Sequence, residues 1–135
     1  MMYQIKASSI SNQDAFVLIK KSHIDFGTTL KTAETLPNPA ELFLGSFASC
    51  ILKNVERFSD MMRFTYSKAT IEVNAERLEN PPRMENISYL LTIYSHDTKL
   101  NSALLKKNIE KFGTIYNTVN LACSISGTIN LTESV

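Results

Sequence analysis

The sequence is poor in the features that announce most functions. Its formal net charge is only +1, which gives no basic footprint for nucleic acid and no polybasic patch for a membrane surface. The longest apolar run is about half of the roughly 20 residues that span a bilayer. The opening stretch, Met1 to Gln13, has neither the apolar core nor the small-residue cleavage site of a secretory signal. A cytoplasmic protein is therefore expected, with no nucleic-acid and no membrane partner. The chain has 4 glycines, and none fall in a G-x-G-x-x-G pattern, so no phosphate-cradling loop is predicted. It has 2 cysteines and 2 histidines. Cys50 and Cys123 are too far apart for a C-x-x-C redox pair or a zinc half-site. With His23 and His96 they share no usual ligand spacing, so no metal and no other cofactor is expected. In a reducing compartment two such cysteines are more often free or redox-active than a structural staple.

What is present is ordinary for a globular protein: 135 residues, 44% of them hydrophobic and 20% charged. One domain over residues 1–135, with a real core, is the expectation. The stretch around which the rest is organised runs from Asn38 to Asp60, NPAELFLGSFASCILKNVERFSD. Asn38 is an N-cap, its side-chain oxygen accepting from a first-turn N–H. Pro39 stands at the first helical position, where its missing N–H costs nothing. Glu41, three residues after the cap, completes a capping box. Between Leu42 and Leu52 this helix is apolar almost all round, which predicts burial on most sides. Cys50 sits near its middle. A thiol there is either core filling or the reason for the design, and both readings stand at this point.

Around the helix the pattern is mostly of strand type. Tyr3, Ile5 and Ala7 alternate with polar residues, Ala15–Lys20 is a compact apolar run, and His23–Phe26 makes a third short strand before Gly27. Thr28–Pro37 is a connecting loop. After a bend over Met61–Tyr66, Ala69, Ile71, Val73 and Ala75 alternate with Thr70, Glu72, Asn74 and Glu76, a strand with one dry side. Asn80-Pro81-Pro82 breaks it, and Ile87–Tyr94 returns as its antiparallel partner. Leu100–Asn117 follows helical spacing, with Leu104, Leu105, Ile109, Phe112 and Tyr116 apolar and Lys106, Lys107, Glu110 and Lys111 on a solvated face. Gly113 weakens the last turn. Ile125, Ile129 and Leu131 suggest a final strand. The class is α+β.

In order, the chain carries a Pro-x-Glu-Leu helix start with a mid-helix cysteine (Pro39, Glu41, Leu42, Cys50), a hairpin with a Pro-Pro-Arg turn (Pro81, Pro82, Arg83), and a helix leading into Cys-Ser-x-Ser (Cys123, Ser124, Ser126). This combination resembles the OsmC/Ohr superfamily of osmotically inducible and organic-hydroperoxide-resistance proteins. The resemblance implies an OsmC-like fold with antiparallel sheets around a long buried central helix, in an intertwined homodimer. It also implies thiol peroxidase chemistry. Cys50 would attack an organic or hydrogen peroxide, Cys123 would resolve the sulfenic acid, and a dithiol or lipoyl-type reductant would reopen the disulfide. The residues suit that cycle, since a peroxidatic cysteine must become a thiolate and a second thiol must reach it before over-oxidation.

Two departures place the chain outside the best-characterised hydroperoxide-resistance branch. That branch uses an arginine from the N-terminal part of the chain, whereas the first arginine here is Arg57. Arg57 shares the helical stripe of Phe43, Phe47, Cys50 and Asn54, two turns or about 11 Å beyond the thiol. It is a candidate to stabilise the thiolate by folding back or from a second subunit. The branch's glutamate also falls one position earlier, where this chain has Ala40, so Glu41 is a candidate site residue and a cap at once. The alternatives are a catalytically silent OsmC-like protein binding a small apolar ligand beside Phe43 and Phe47, and a cysteine hydrolase pairing Cys50 with His23.

Overall fold

A computed structural model describes residues 1–133. The chain divides into two compact units, Met1–Phe43 and the remainder from Leu44 onward. The first unit is a three-stranded antiparallel sheet in the order β1 (Lys6–Ser8), β2 (Ala15–Ile19), β3 (Ser22–Phe26). The predicted strand over Tyr3, Ile5 and Ala7 shortens to Lys6–Ser8 and buries no face. Tyr3 is 79% and Ile5 59% exposed, because alternation alone makes no strand where nothing lies against its apolar side. The loop after β3 is tied back by one carboxylate. Asp14 Oδ1 accepts from the Thr28 and Thr29 amides at 3.0 and 3.2 Å and from the Thr29 and Thr32 hydroxyls at 3.0 and 2.7 Å. The Thr32 hydroxyl and then the Thr28 amide hold its carboxyl below the usual range.

Helix α1 (Pro39–Met61) starts as its sequence predicts. Asn38 Oδ1 accepts from the Glu41 amide at 2.9 Å, and the Asn38 amide donates to Glu41 Oε1 at 3.0 Å. Both halves of the capping box are therefore made. Burial on most sides is not seen. Phe47, Ile51, Asn54, Val55 and Phe58 are buried along one stripe, while Gly45, Ser46 and Ser49 face out. Each fully buried Phe, Ile or Val on that stripe contributes roughly 1.5–3 kcal/mol.

The second unit carries β4 (Lys68–Glu79), β5 (Pro82–Tyr94) and β6 (Ile125–Thr132) in that order. β4 and β5 form the expected antiparallel hairpin across the proline turn. β6 runs parallel to β5, with Ile87 opposite Ile125, so the second sheet is mixed. A parallel neighbour needs a long crossover, and two helices supply it. The single helix expected over Leu100–Asn117 is broken at Gly113 into α2 (Ser102–Phe112) and α3 (Thr114–Asn120). Gly113 has ψ 118, which takes the chain out of the helix for one residue. Inward-facing Ile87, Tyr89, Leu91 and Ile93 of β5 meet Phe47, Ile51, Val55 and Phe58 of α1 and Leu105 and Ile109 of α2 in one core.

Two glycines are fixed by close approach. A Cβ on Gly127 would lie 2.0 Å from two ring carbons of Tyr89, its partner in the β5–β6 register. The bare backbone of β6 thus makes the slot in which that ring lies. A Cβ on Gly113 would lie 2.9 Å from the Ile109 carbonyl oxygen and 3.3 Å from the Cys50 sulfur. The corner between α2 and α3 therefore closes on the thiol of α1.

Candidate functional site

Cys50 and Cys123 are both free thiols and both half-buried. Cys50 stands on the core stripe of α1, one turn after Phe47, whose ring is fully buried and lies 5.9 Å from that of Tyr116 and 6.2 Å from that of Tyr89. On its own helix the sulfur faces Asn54, whose Nδ2 donates to the Cys50 carbonyl at 2.9 Å and lies 3.7 Å from Sγ. Across from α1 it faces the Gly113 corner.

Cys123 follows α3 and is joined to its last turn, its amide donating to the Val119 carbonyl at 2.9 Å. One short helix thus links the surroundings of the two thiols, meeting Cys50 at Gly113 and holding Cys123 at Val119. The Cys123 thiol donates to the Met84 carbonyl at 3.3 Å. Burial first, and the nearby Glu85 carboxylate second, push this thiol above its ordinary value. Glu85 is placed there by an irregularity in the β4–β5 ladder between Asn74 and Glu76, opposite which Asn86 takes φ 52. Asparagine tolerates that left-handed conformation, and such bulges re-aim side chains. Glu85 Oε1 accepts from the Ser124 amide at 2.5 Å, the Asn86 amide at 3.0 Å and the Ser124 hydroxyl at 3.1 Å. The two amides, that of Ser124 first, keep the Glu85 carboxyl below its usual range. Ser124 is therefore a turn anchor, and Cys123 a thiol hydrogen-bonded to backbone.

The other candidates have contacts of their own. The Glu41 carboxylate is engaged in the cap of α1. The Arg57 guanidinium lies 5.4 Å from the Phe58 ring centroid, a cation–π contact at the neighbouring position. Phe47 is core, and Phe43 is 41% exposed. His23 belongs to the exposed β3, where it meets Asp25 at 3.1 Å and stacks on Phe16 at 4.2 Å. Among the described residues no group of His, Cys, Asp and Glu is arranged to hold a metal ion, and no helix is long and apolar enough to cross a membrane.

Two features escaped the sequence reading. Glu110 is not simply on a solvated face. It accepts from the Tyr89 hydroxyl at 2.7 Å and pairs with Lys106 at 2.8 Å, and burial followed by that carboxylate raises the Tyr89 phenol above its ordinary value. Asn54, noted only as a stripe neighbour, is the buried polar side chain that reaches Cys50. A polar residue among Ile51, Val55 and Phe58 was the available signal.

A helix carrying a half-buried thiol, packed along one stripe against a mixed sheet and α2, with a second cysteine at the end of the crossover, defines an OsmC-like fold. The family model for OsmC-like proteins matches residues 31–130, and the chain belongs to that family. Its structure is similar to the OsmC-like protein of Mycoplasma pneumoniae, with a TM-score of 0.87 at 17% identity over 98% of both chains. It is also similar to the organic hydroperoxide resistance protein OsmC of Legionella pneumophila, with a TM-score of 0.66 at 12% identity over 96% of this chain and 98% of that one. For the organic hydroperoxide resistance protein OhrB of Bacillus subtilis the TM-score is 0.61 at 11% identity, over 96% and 98% of the chains. At these identities the likeness is one of fold. No curated protein sequence matched.

Proposed function

We propose that the chain is a thiol-dependent peroxidase that reduces organic or hydrogen peroxides in defence against oxidative stress. The observation that carries this reading is the Cys50 thiol itself. It is half-buried in the central helix, with an amide donor on one side, the Gly113 backbone on the other, and a second free cysteine at the far end of the same short helix. Family membership and the hydroperoxide-resistance names of two structural relatives support it.

The cycle balances with thiols alone. The Cys50 thiolate attacks the terminal peroxide oxygen; the O–O bond breaks, the departing alkoxide or hydroxide takes a proton, and Cys50 becomes a sulfenic acid. Cys123 then attacks that sulfur, releasing water and forming the disulfide, and its hydrogen bond to Met84 is given up. A small dithiol or lipoyl-type reductant exchanges with the disulfide, returning two thiols and leaving oxidised as its own disulfide.

The reading includes a homodimer and a cytoplasmic setting. One chain leaves Phe43 exposed and Leu42, Leu44 and Leu52 half-buried along α1, apolar surface that a second copy of the helix would cover. Arg57 is assigned to that setting, in which a second copy of α1 offers it a thiolate that its own helix does not. Glu41 is assigned to the helix cap.

The test is a thiol count. Reduced protein treated with one equivalent of an alkyl hydroperoxide is expected to lose two thiols per subunit. A Cys50→Ser variant should lose none, and Cys123→Ser should give a sulfenic acid trapped by dimedone. Two thiols that persist under peroxide would overturn the peroxidase reading, and undiminished thiolate reactivity in Arg57→Ala would remove Arg57 from it.

A further inference from the structure

We propose that Asn54 is the positioning residue for Cys50, its side-chain amide set to donate to the sulfur when the thiolate forms. Asn54 is 8% exposed, on a stripe otherwise made of Phe47, Ile51, Val55 and Phe58. Asparagine is a poor helix former, and burying its amide carries a desolvation cost that leucine or valine would avoid. The polar group stands where its Nδ2 meets both the Cys50 carbonyl, at 2.9 Å, and the Cys50 sulfur, at 3.7 Å. The first bond orients the amide, so that its remaining N–H is set toward the sulfur before any charge develops there. A neutral thiol is a weak acceptor and a thiolate a strong one, so a fixed donor favours the charged form. On the other side, the Gly113 corner comes so close that a Cβ there would lie 3.3 Å from the sulfur. The sulfur is thereby confined next to the amide.

The inference rests on the peroxidase reading only for the use made of the thiolate, which is itself measurable without peroxide. In a Cys123→Ser background, ultraviolet thiolate absorbance and the iodoacetamide alkylation rate are followed against pH for the parent, Asn54→Leu and Asn54→Asp. Loss of the donor is expected to move the appearance of thiolate up by about one pH unit, cutting alkylation at fixed pH about tenfold. The aspartate variant, nearly the same shape but anionic beside an anion, should move it further. Circular dichroism checks that the helix is retained, and should the leucine variant not fold, the aspartate variant decides alone. Parent-like curves in the variants would overturn the inference. Donor-dependent curves in a protein that leaves peroxide untouched would instead overturn the peroxidase reading while upholding the role of Asn54.

Discussion

Replacing Gly127 with alanine tests the packing that holds Tyr89 in the core. The new methyl would lie 2.0 Å from two ring carbons of Tyr89 and 2.5 Å from its hydroxyl oxygen. The ring must therefore retreat by more than an ångström to restore an ordinary contact. It has nowhere easy to go, with the Phe47 ring 6.2 Å away and the hydroxyl donating to Glu110 at 2.7 Å. Overpacking costs roughly 1–3 kcal/mol, and losing a hydrogen bond to a charged acceptor adds about 1.5–3. The sum is about 2.5–6 kcal/mol, or a fall of about 8–24 °C in Tm for a chain of this size. Urea unfolding of Gly127→Ala, Tyr89→Val and the double variant measures it. With the ring gone, alanine has no clash and suits a strand better than glycine by about 0.5–1 kcal/mol. The two changes should therefore couple strongly. A Gly127→Ala protein within about 1 kcal/mol of the parent, or the same cost in both backgrounds, would refute this account.

Two further outcomes are expected. The Asp14 carboxyl titrates below 3.8 in the folded chain, so its contribution to stability is complete above that value and disappears as pH falls through the lower folded value. Asp14→Asn should flatten the acid limb of a stability–pH curve, and an unchanged acid limb would show that the threonine cradle is idle. Asn38→Ala removes the side chain that accepts from Glu41 and should cost about 1 kcal/mol by urea unfolding, whereas no change would mean that water caps the helix equally well.

What could be read from the chain was what neighbours in sequence decide. The start of α1 depends on Asn38, Pro39 and Glu41 alone, and the β4–β5 hairpin on alternation and two prolines. The break between α2 and α3 was harder to see, because Ile109, Phe112 and Tyr116 keep helical spacing across it. Gly113 is needed there to let a corner approach a sulfur on another helix, which local propensity does not register. Glu110 looks solvated on its own helix and acquires its role only when β5 brings Tyr89 to it. The parallel direction of β6 is likewise a property of the crossover. At the candidate site the two cysteines were visible and their companions were not. Asn54, Gly113 and Met84 act through an amide, a missing side chain and a carbonyl, none of which marks a residue as chemical.

The order of strands also bears on how the second cysteine reaches its place. Glu79 pairs with Pro82 across a tight turn, whereas Ile87 finds Ile125 only after α2 and α3 have been traversed. Closing the longer loop costs about 2 kcal/mol more in chain entropy. The hairpin is thus the local event in folding and the addition of β6 the distant one. Cys123, two residues before β6, has no Met84 carbonyl to donate to and no Glu85 beside it until that distant pairing is made. The restraint on its thiol is therefore acquired with the completed sheet, and a nascent chain carries it as an ordinary cysteine.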